Sequence, residues 1–304
     1  MSPRTAICGI AVALLVALLP GVAGAQGPAA CGAASRATRF FEPASVDGVQ
    51  RSALVDVPAH PSGARLPLVL AFHGAGATGP FMEAYSGLTA LAERDRFIVV
   101  YPTANGNLWN SAARGTAPED DVVFVRSLLD QLEAELCVDP ARVYATGVSN
   151  GGSFTARLGC ELSDRLAAIA PVAGGYGVEP PCHPARRLSV LEIHGTDDWV
   201  VPYAGTGPHG HGSVAGYLAM WARLDRCSGR PTRRRLETNA FLLARAHCAG
   251  RTVVDHVELV GTPHIWPGTT LVSPGQPTGV PFSASEAVWE FFKSRTVSRA
   301  AARG

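Results

Sequence analysis

ARVYATGVSNGGSF, residues 141 to 154, carries the reading of the whole chain. An apolar, β-branched run (Val143 to Thr146) leads into Gly-x-Ser-x-Gly centred on Ser149, and SFTARLGCEL, which reads as helix, follows. Strand, sharp turn and helix in that order can expose a serine as a nucleophile at the end of a parallel strand. Glycines at 147 and 151 suit such a turn, because a Cβ on either side would meet the neighbouring strand or helix. Alone, the five-residue match carries little, and a serine here is also a good helix N-cap.

Two later segments strengthen it. LSVLEIHGTDDWVVPY (188–203) brings Asp197 and Asp198, and VVDHVELVGTPHIWPG (253–268) brings His264. Each is an apolar run followed by a polar loop, and open α/β sheets place their sites in loops at the carboxyl ends of strands. A serine hydroxyl is a poor nucleophile until a base takes its proton, and the base needs an orienting carboxylate. Ser149, His264 and an aspartate at 197 or 198 fill those roles in the order serine, acid, histidine. Among nine histidines only His264 follows the acid after a late strand. His194 reads as structural, and His209 and His211 lie in a glycine-rich loop, YAGTGPHGHGS, that reads as flexible and solvated rather than metal-binding.

An oxyanion formed at Ser149 needs backbone N–H donors. Asn150, directly after the serine, supplies one. The other is expected in HGAGAT (73–78), after the strand LPLVLAF, with Ala75 first and Gly74 and Gly76 close behind. Trp109 and Trp266 are the candidate linings of an acyl pocket, although an indole is as readily a core side chain.

Apolar β-rich runs recur at 52–57, 67–73, 97–101, 142–147, 167–173, 188–193 and 253–260, with helical patterns between several of them. The clearest helix is 120–136, with Val125, Leu128, Leu129, Leu132 and Leu136 on one face; the last is 283–295, capped by Ser283 or Ser285. This alternation predicts an α/β fold with a mostly parallel central sheet and helices on both faces.

The first 25 residues read as a secretory signal peptide: Arg4, the apolar run Ile7 to Leu19, then Ala23-Gly24-Ala25. The run is short for a membrane anchor and is broken by Pro20 and Gly21. The expected organisation is signal peptide 1–25, one catalytic domain 26–296, and a disordered tail 297–304. Six cysteines follow the signal, an even number that in an exported protein predicts three disulfides. Strand up and helix down would bring Cys137 and Cys160 to the bottom of the sheet. Cys227 and Cys248 flank one excursion and should pair, leaving Cys31 with Cys182. The formal charge of +1 and pI of about 7.7 imply neither a nucleic-acid nor an anionic-surface partner, and no membrane contact is expected after signal cleavage. Lys293 is the single lysine, so a catalytic lysine is not expected.

TGVSNGGSFTARLGCELSDRLAAIAPVAG (146–174), HGTDDWVVPY (194–203), WARLDRC (221–227) and GTPHIWPG (261–268) together resemble secreted α/β-hydrolase esterases of the polyhydroxybutyrate depolymerase and feruloyl esterase type. The resemblance runs from about Cys31 to Phe292. The pattern His-Gly-Thr-x-Asp-x-x-Val-Pro-Tyr aligns with Asp198, not Asp197, and His-x-Trp-Pro aligns with His264, Trp266 and Pro267. Thr262-Pro263 departs from the glycines usual before that histidine. The resemblance implies the α/β-hydrolase fold and cofactor-free hydrolysis of carboxylic esters, with Ser149, Asp198 and His264 as the triad. Segment 137–174 resembles the feruloyl branch more than the polyester branch, and no separate polymer-binding module is apparent. The first expectation is therefore a hydroxycinnamoyl ester of plant cell-wall sugars, then a hydroxyalkanoate polyester, then an acetyl ester. The rivals are a secreted binding protein on the same fold and a serine peptidase.

Overall fold

The strands sort their side chains by a period of two, and that period builds the layers. In a computed structural model, residues 31–297 are described apart from 33–34, 44, 46–47, 112–119, 178–181, 207–210, 246 and 272–279. The expected signal peptide therefore lies outside the described residues. Along β3 (Leu66–Phe72), Leu66, Leu68, Leu70 and Phe72 enter one core, while Val69 and Ala71 enter the other. β5 (Val138–Val148) alternates likewise, with Val143 and Ala145 on one side and Tyr144 and Val148 on the other.

The remaining strands are β1 (Ala37–Phe41), β2 (Ala53–Val57), β4 (Ile98–Pro102), β6 (Ala168–Val172), β7 (Ser189–Gly195), β8 (Thr232–Arg235), β9 (Ala240–Arg245) and β10 (Val254–Leu259). They form one ten-stranded sheet in the order β1-β2-β4-β3-β5-β6-β7-β10-β9-β8. From β4 to β10 every neighbour pairs parallel; β1, β2, β8 and β9 add antiparallel ribbons at the two edges. The expected runs all appear as strands. β1, β8 and β9 were not expected: β1 and β8 are largely exposed edge strands, whereas β9 carries the apolar stretch Ala240 to Ala244, a strand signal that the sequence reading missed. β8 is Thr-Arg-Arg-Arg and fully exposed, a charged edge of the kind that discourages pairing with another chain.

One face of the sheet is covered by α3 (Asp121–Glu135), α4 (Asn150–Glu161) and α5 (Val214–Leu224), which bury Phe124, Leu128, Phe154, Leu158 and Trp221. The other is covered by α1 (Gly79–Ser86), α2 (Leu88–Asp95) and α6 (Ala284–Phe292), which bury Met82, Leu91, Trp289 and Phe292. Asp120 caps α3 through Val122 N–H at 3.0 Å, and Ser283, not Ser285, caps α6 through Glu286 N–H at 3.3 Å. Val297 is held rather than loose: it is buried, and its N–H donates to Ala141 O at 2.9 Å. The other residues expected to form a disordered tail, 298–304, lie outside the described residues.

The disulfides correct two expected pairings. Cys227–Cys248 is as expected, but Cys31 bonds Cys137 and Cys160 bonds Cys182. At the far end of α4, Gly159 packs on Ile169, Leu188 and Trp221. Cys160 therefore faces the approach to β7, where Cys182 lies, with Cα atoms 5.2 Å apart. Cys137 instead meets the segment leading into β3: its carbonyl accepts from Leu66 N–H, while the carbonyl of Cys31 accepts from Gly63 N–H. Disulfides of this kind persist in oxidising compartments. Loop entropy grows with the chain enclosed, and the separations are 106 residues for Cys31–Cys137 and 22 for Cys160–Cys182. Removing the first is expected to cost about 5 kcal/mol and the second about 3. Urea unfolding of the paired Cys→Ala double variants measures both, and a larger loss from the shorter loop would contradict the assignment.

Candidate active site

Ser149 stands between the end of β5 and the first residue of α4 with φ 57° and ψ −123°, a conformation that a side-chain-bearing residue rarely adopts. The surroundings impose it. A Cβ on Gly147 would lie 2.8 Å from Phe72 O and 2.6 Å from Gly151 O, and one on Gly151 would lie 2.3 Å from Phe72 O and 2.4 Å from His73 O. The strand-to-helix turn is pressed directly onto the end of β3, so both positions must be glycine. Ser149 N–H donates to Val172 O at 3.0 Å, which ties the strained residue to β6.

The expected oxyanion loop adjoins the serine. The position that a Gly74 side chain would take is 3.4 Å from Ser149 Cβ and 3.9 Å from its Oγ. Gly76 N–H is committed to Asn107 O at 2.8 Å and Ala77 N–H to Gly74 O at 3.2 Å; among the described residues no such bond engages Ala75 N–H. Asn150 N–H is the first amide of α4, where no carbonyl stands a turn earlier to receive it. His73 fixes the loop from beneath: Nε2 accepts from Ala104 N–H at 3.1 Å, so Nδ1 carries the proton and donates to Gly74 O at 2.7 Å. Burial lowers the basicity of this imidazole and outweighs the bond to Gly74, in keeping with a neutral ring.

Trp109 and Trp266, expected as linings of an acyl pocket, are core side chains in this structure. Both indoles are buried, at 2% and 0% exposure. Trp109 stacks on Phe154 at 5.0 Å, donates through Nε1 to His73 O, and its backbone is gripped by the Asn150 side chain, whose Oδ1 accepts from Trp109 N–H and whose Nδ2 donates to Trp109 O. Trp266 donates through Nε1 to Ser285 Oγ at 3.0 Å, and its N–H reaches Tyr85 OH at 3.0 Å. Trp266 anchors the loop on which His264 stands, and Trp109 holds its own segment against the start of α4. The exposed indole is Trp199, at 77%, the residue after Asp198. Sequence reading passed over it; its place beside the acid in a polar loop was the available signal.

Asp198 follows β7 and His264 follows β10, and since β5, β7 and β10 run parallel, both loops share the end of the sheet that carries Ser149. His264 Nδ1 lies 2.7 Å from Asp198 Oδ2, while Asp198 Oδ1 accepts from Val200 N–H at 3.0 Å and Val201 N–H at 2.8 Å. Asp197 instead accepts from the Thr196 hydroxyl, and its N–H donates to Thr262 O at 3.2 Å. That bond stitches the two loops together, and it runs through the Thr262 that departs from the expected glycine. Burial alone would raise the Asp198 carboxyl; donors from His194 and His264 and the Val201 amide outweigh it and hold the group well below the ordinary carboxylate range. His194, on β7, is fully buried against Asp198. His209 lies outside the described residues, and the His211 ring packs close over Gly175.

Gly151→Ala is expected to destabilise the fold by about 3 kcal/mol or more, since backbone carbonyls cannot retreat as side chains do. A urea midpoint within error of the parent would show that the contact at the turn is not obligatory.

No protein-family model matches the chain. Among curated relatives, it is 31% identical over 197 residues to feruloyl esterase B of Piromyces equi, covering 60% of this chain and 37% of that one. It is 37% identical over 124 residues to poly(3-hydroxyalkanoate) depolymerase C of Paucimonas lemoignei, covering 38% of this chain and 30% of that one. The chain thus spans well under half the length of either relative. Among solved structures it resembles acetyl xylan esterase from Aspergillus awamori with a TM-score of 0.64 and 15% identity, over 84% of this chain and 98% of that one. The chain has the α/β-hydrolase fold, and its homologues carry the names feruloyl esterase, acetylxylan esterase and poly(3-hydroxyalkanoate) depolymerase.

Proposed function

We propose that the chain is an exported serine carboxylesterase that works through Ser149, His264 and Asp198. The carrying observation is the His264–Asp198 pair, 2.7 Å apart, at the same end of the sheet as the strained Ser149 turn. Ser149 Oγ attacks the ester carbonyl, and His264 takes its proton and later delivers it to the leaving alkoxide. Asp198 fixes the ring so that Nδ1 carries a proton and Nε2 is the base. The N–H groups of Asn150 and Ala75 receive the oxyanion, and water then releases the acid from Ser149. None of these steps calls on a cofactor. Export is supported by the leader-like first 25 residues and by three disulfides. Among the described residues no helix is long and apolar enough to cross a membrane.

Feruloyl or a related hydroxycinnamoyl ester of plant cell-wall polysaccharide is the first substrate class, supported by the similarity to feruloyl esterase B, and Trp199 is the exposed aromatic surface beside the acid. A hydroxyalkanoate polyester is the second, supported by the 37% identity to a poly(3-hydroxyalkanoate) depolymerase. The ratio of kcat/KM for methyl ferulate to that for a hydroxybutyrate oligomer decides between them, and preference for the oligomer reverses the order.

Ser149→Ala is expected to lower kcat by about a million-fold and to abolish fluorophosphonate labelling, with the melting curve preserved. Asp198→Asn is expected to cost about ten-thousand-fold and Asp197→Asn less than about tenfold. Equal damage from the two aspartate changes would refute the acid, and a parent protein that fails to label would favour a binding protein on this fold.

A further inference from the structure

Behind the acid lies a run of buried polar side chains that the triad alone does not require. His194 and Asp198 are both fully buried, and His194 Nε2 stands 3.2 Å from Asp198 Oδ2 and 2.9 Å from Val201 O. A carbonyl oxygen only accepts, so Nε2 carries a proton. Nδ1 stands 2.9 Å from Glu192 Oε1, an oxygen that already accepts from Tyr176 OH at 2.7 Å. Glu192 is itself fully buried on β7, opposite His256 of β10, whose Nδ1 is 2.6 Å from Glu192 Oε2 and whose Nε2 meets Tyr203 OH at 2.8 Å. The other titratable groups facing this run are Tyr203, whose ring stands edge-on to His194 at 5.9 Å, and Tyr217 of α5, stacked on Tyr176 at 3.8 Å.

We propose that His194 is a second, permanently charged imidazole of the site, a positioning residue that neutralises the Asp198 carboxylate from behind and fixes its orientation toward His264. This rests on the triad proposed above. Both nitrogens of His194 face acceptors, and two buried carboxylates bracket the ring, so only the doubly protonated form gives each nitrogen a hydrogen to donate. Burial works against a charged ring; the bonds to Asp198 and Glu192 overcome it and raise the basicity of His194, while Glu192, despite its own burial, is held below the ordinary carboxylate range by the two imidazoles. Asp198 then has four donors: two backbone amides on Oδ1, and His264 with His194 on Oδ2. No oxygen is left to rotate.

The charge has a consequence for the rate. A cation on Asp198 offsets the negative field that the carboxylate turns toward the rest of the site, so removing that cation is expected to move the acid limb of the rate profile to higher pH. His194→Gln removes the cation directly. Glu192→Gln keeps His194 but removes the carboxylate that holds its second proton, so it acts in the same direction.

Two measurements test this. In Ser149→Ala protein, 15N NMR of the imidazoles is expected to show His194 with two protonated nitrogens from pH 5 to pH 8.5; a neutral ring at pH 8 overturns the proposal. In the two Gln variants, the rate of fluorophosphonate labelling of Ser149 is followed against pH. Labelling at pH 6, relative to the alkaline plateau, is expected to fall about tenfold, a limb shift of about one pH unit. A merely structural role would lower labelling uniformly, and an unmoved limb in folded Glu192→Gln overturns the proposal even if His194→Gln fails to fold. A parent that does not label at all refutes the triad, and the role of His194 with it, whereas a labelling parent with an unmoved limb refutes only the role of His194.

Discussion

The contact on which the site depends is backbone on backbone: the start of α4 lies against the last carbonyls of β3 with no room for a Cβ at Gly147 or Gly151. From it follow the positive φ of Ser149 and the nearness of the 73–78 loop, which is the continuation of β3 itself. The strain is local, of order 1–3 kcal/mol for a residue held in such a region, and is sustained by the dense core that Phe72, Trp109 and Phe154 form directly beneath. Ser149 and the 73–78 loop are thereby positioned by the same packing rather than by separate devices.

Much of this was legible in the chain. The seven apolar runs and the helices at 120–136 and 283–295 follow from periodicity, and the pairing of His264 with Asp198 rather than Asp197 follows from the resemblance to the esterase pattern. The failures have specific causes. Disulfide pairing turns on which neighbours the far end of α4 meets, and no one-dimensional pattern records them. The edge strands β1 and β8 are largely exposed and carry no strand-like apolar run, whereas Ala240 to Ala244 of β9 is such a run and was overlooked. Trp109 and Trp266 were read as pocket lining because the chain does not say which side of a loop is wet; their bonds to His73 and Ser285 turn them inward.

His194 shows how such a reading can be right and still incomplete. Its apolar setting on β7 marks it as structural, and it is fully buried. Apolar neighbours on a strand do not disclose the polar ones across it: Glu192 is two residues away on the same face, and His256 stands opposite Glu192 on β10. A buried polar run of this kind is costly if any member is left unsatisfied, so its members are fixed jointly, by cross-strand register as much as by sequence neighbourhood.

The arginine-only chemistry of the β8 edge reaches beyond the fold. Three consecutive guanidiniums line that strand, one of them bonded to Glu258 and lying over the Phe241 ring at 3.4 Å. A lysine edge would discharge near pH 10 and expose bare ladder groups to other molecules, whereas guanidiniums keep their charge beyond pH 12. Mutual repulsion between copies at this rim therefore persists in strongly alkaline media that would neutralise a lysine edge.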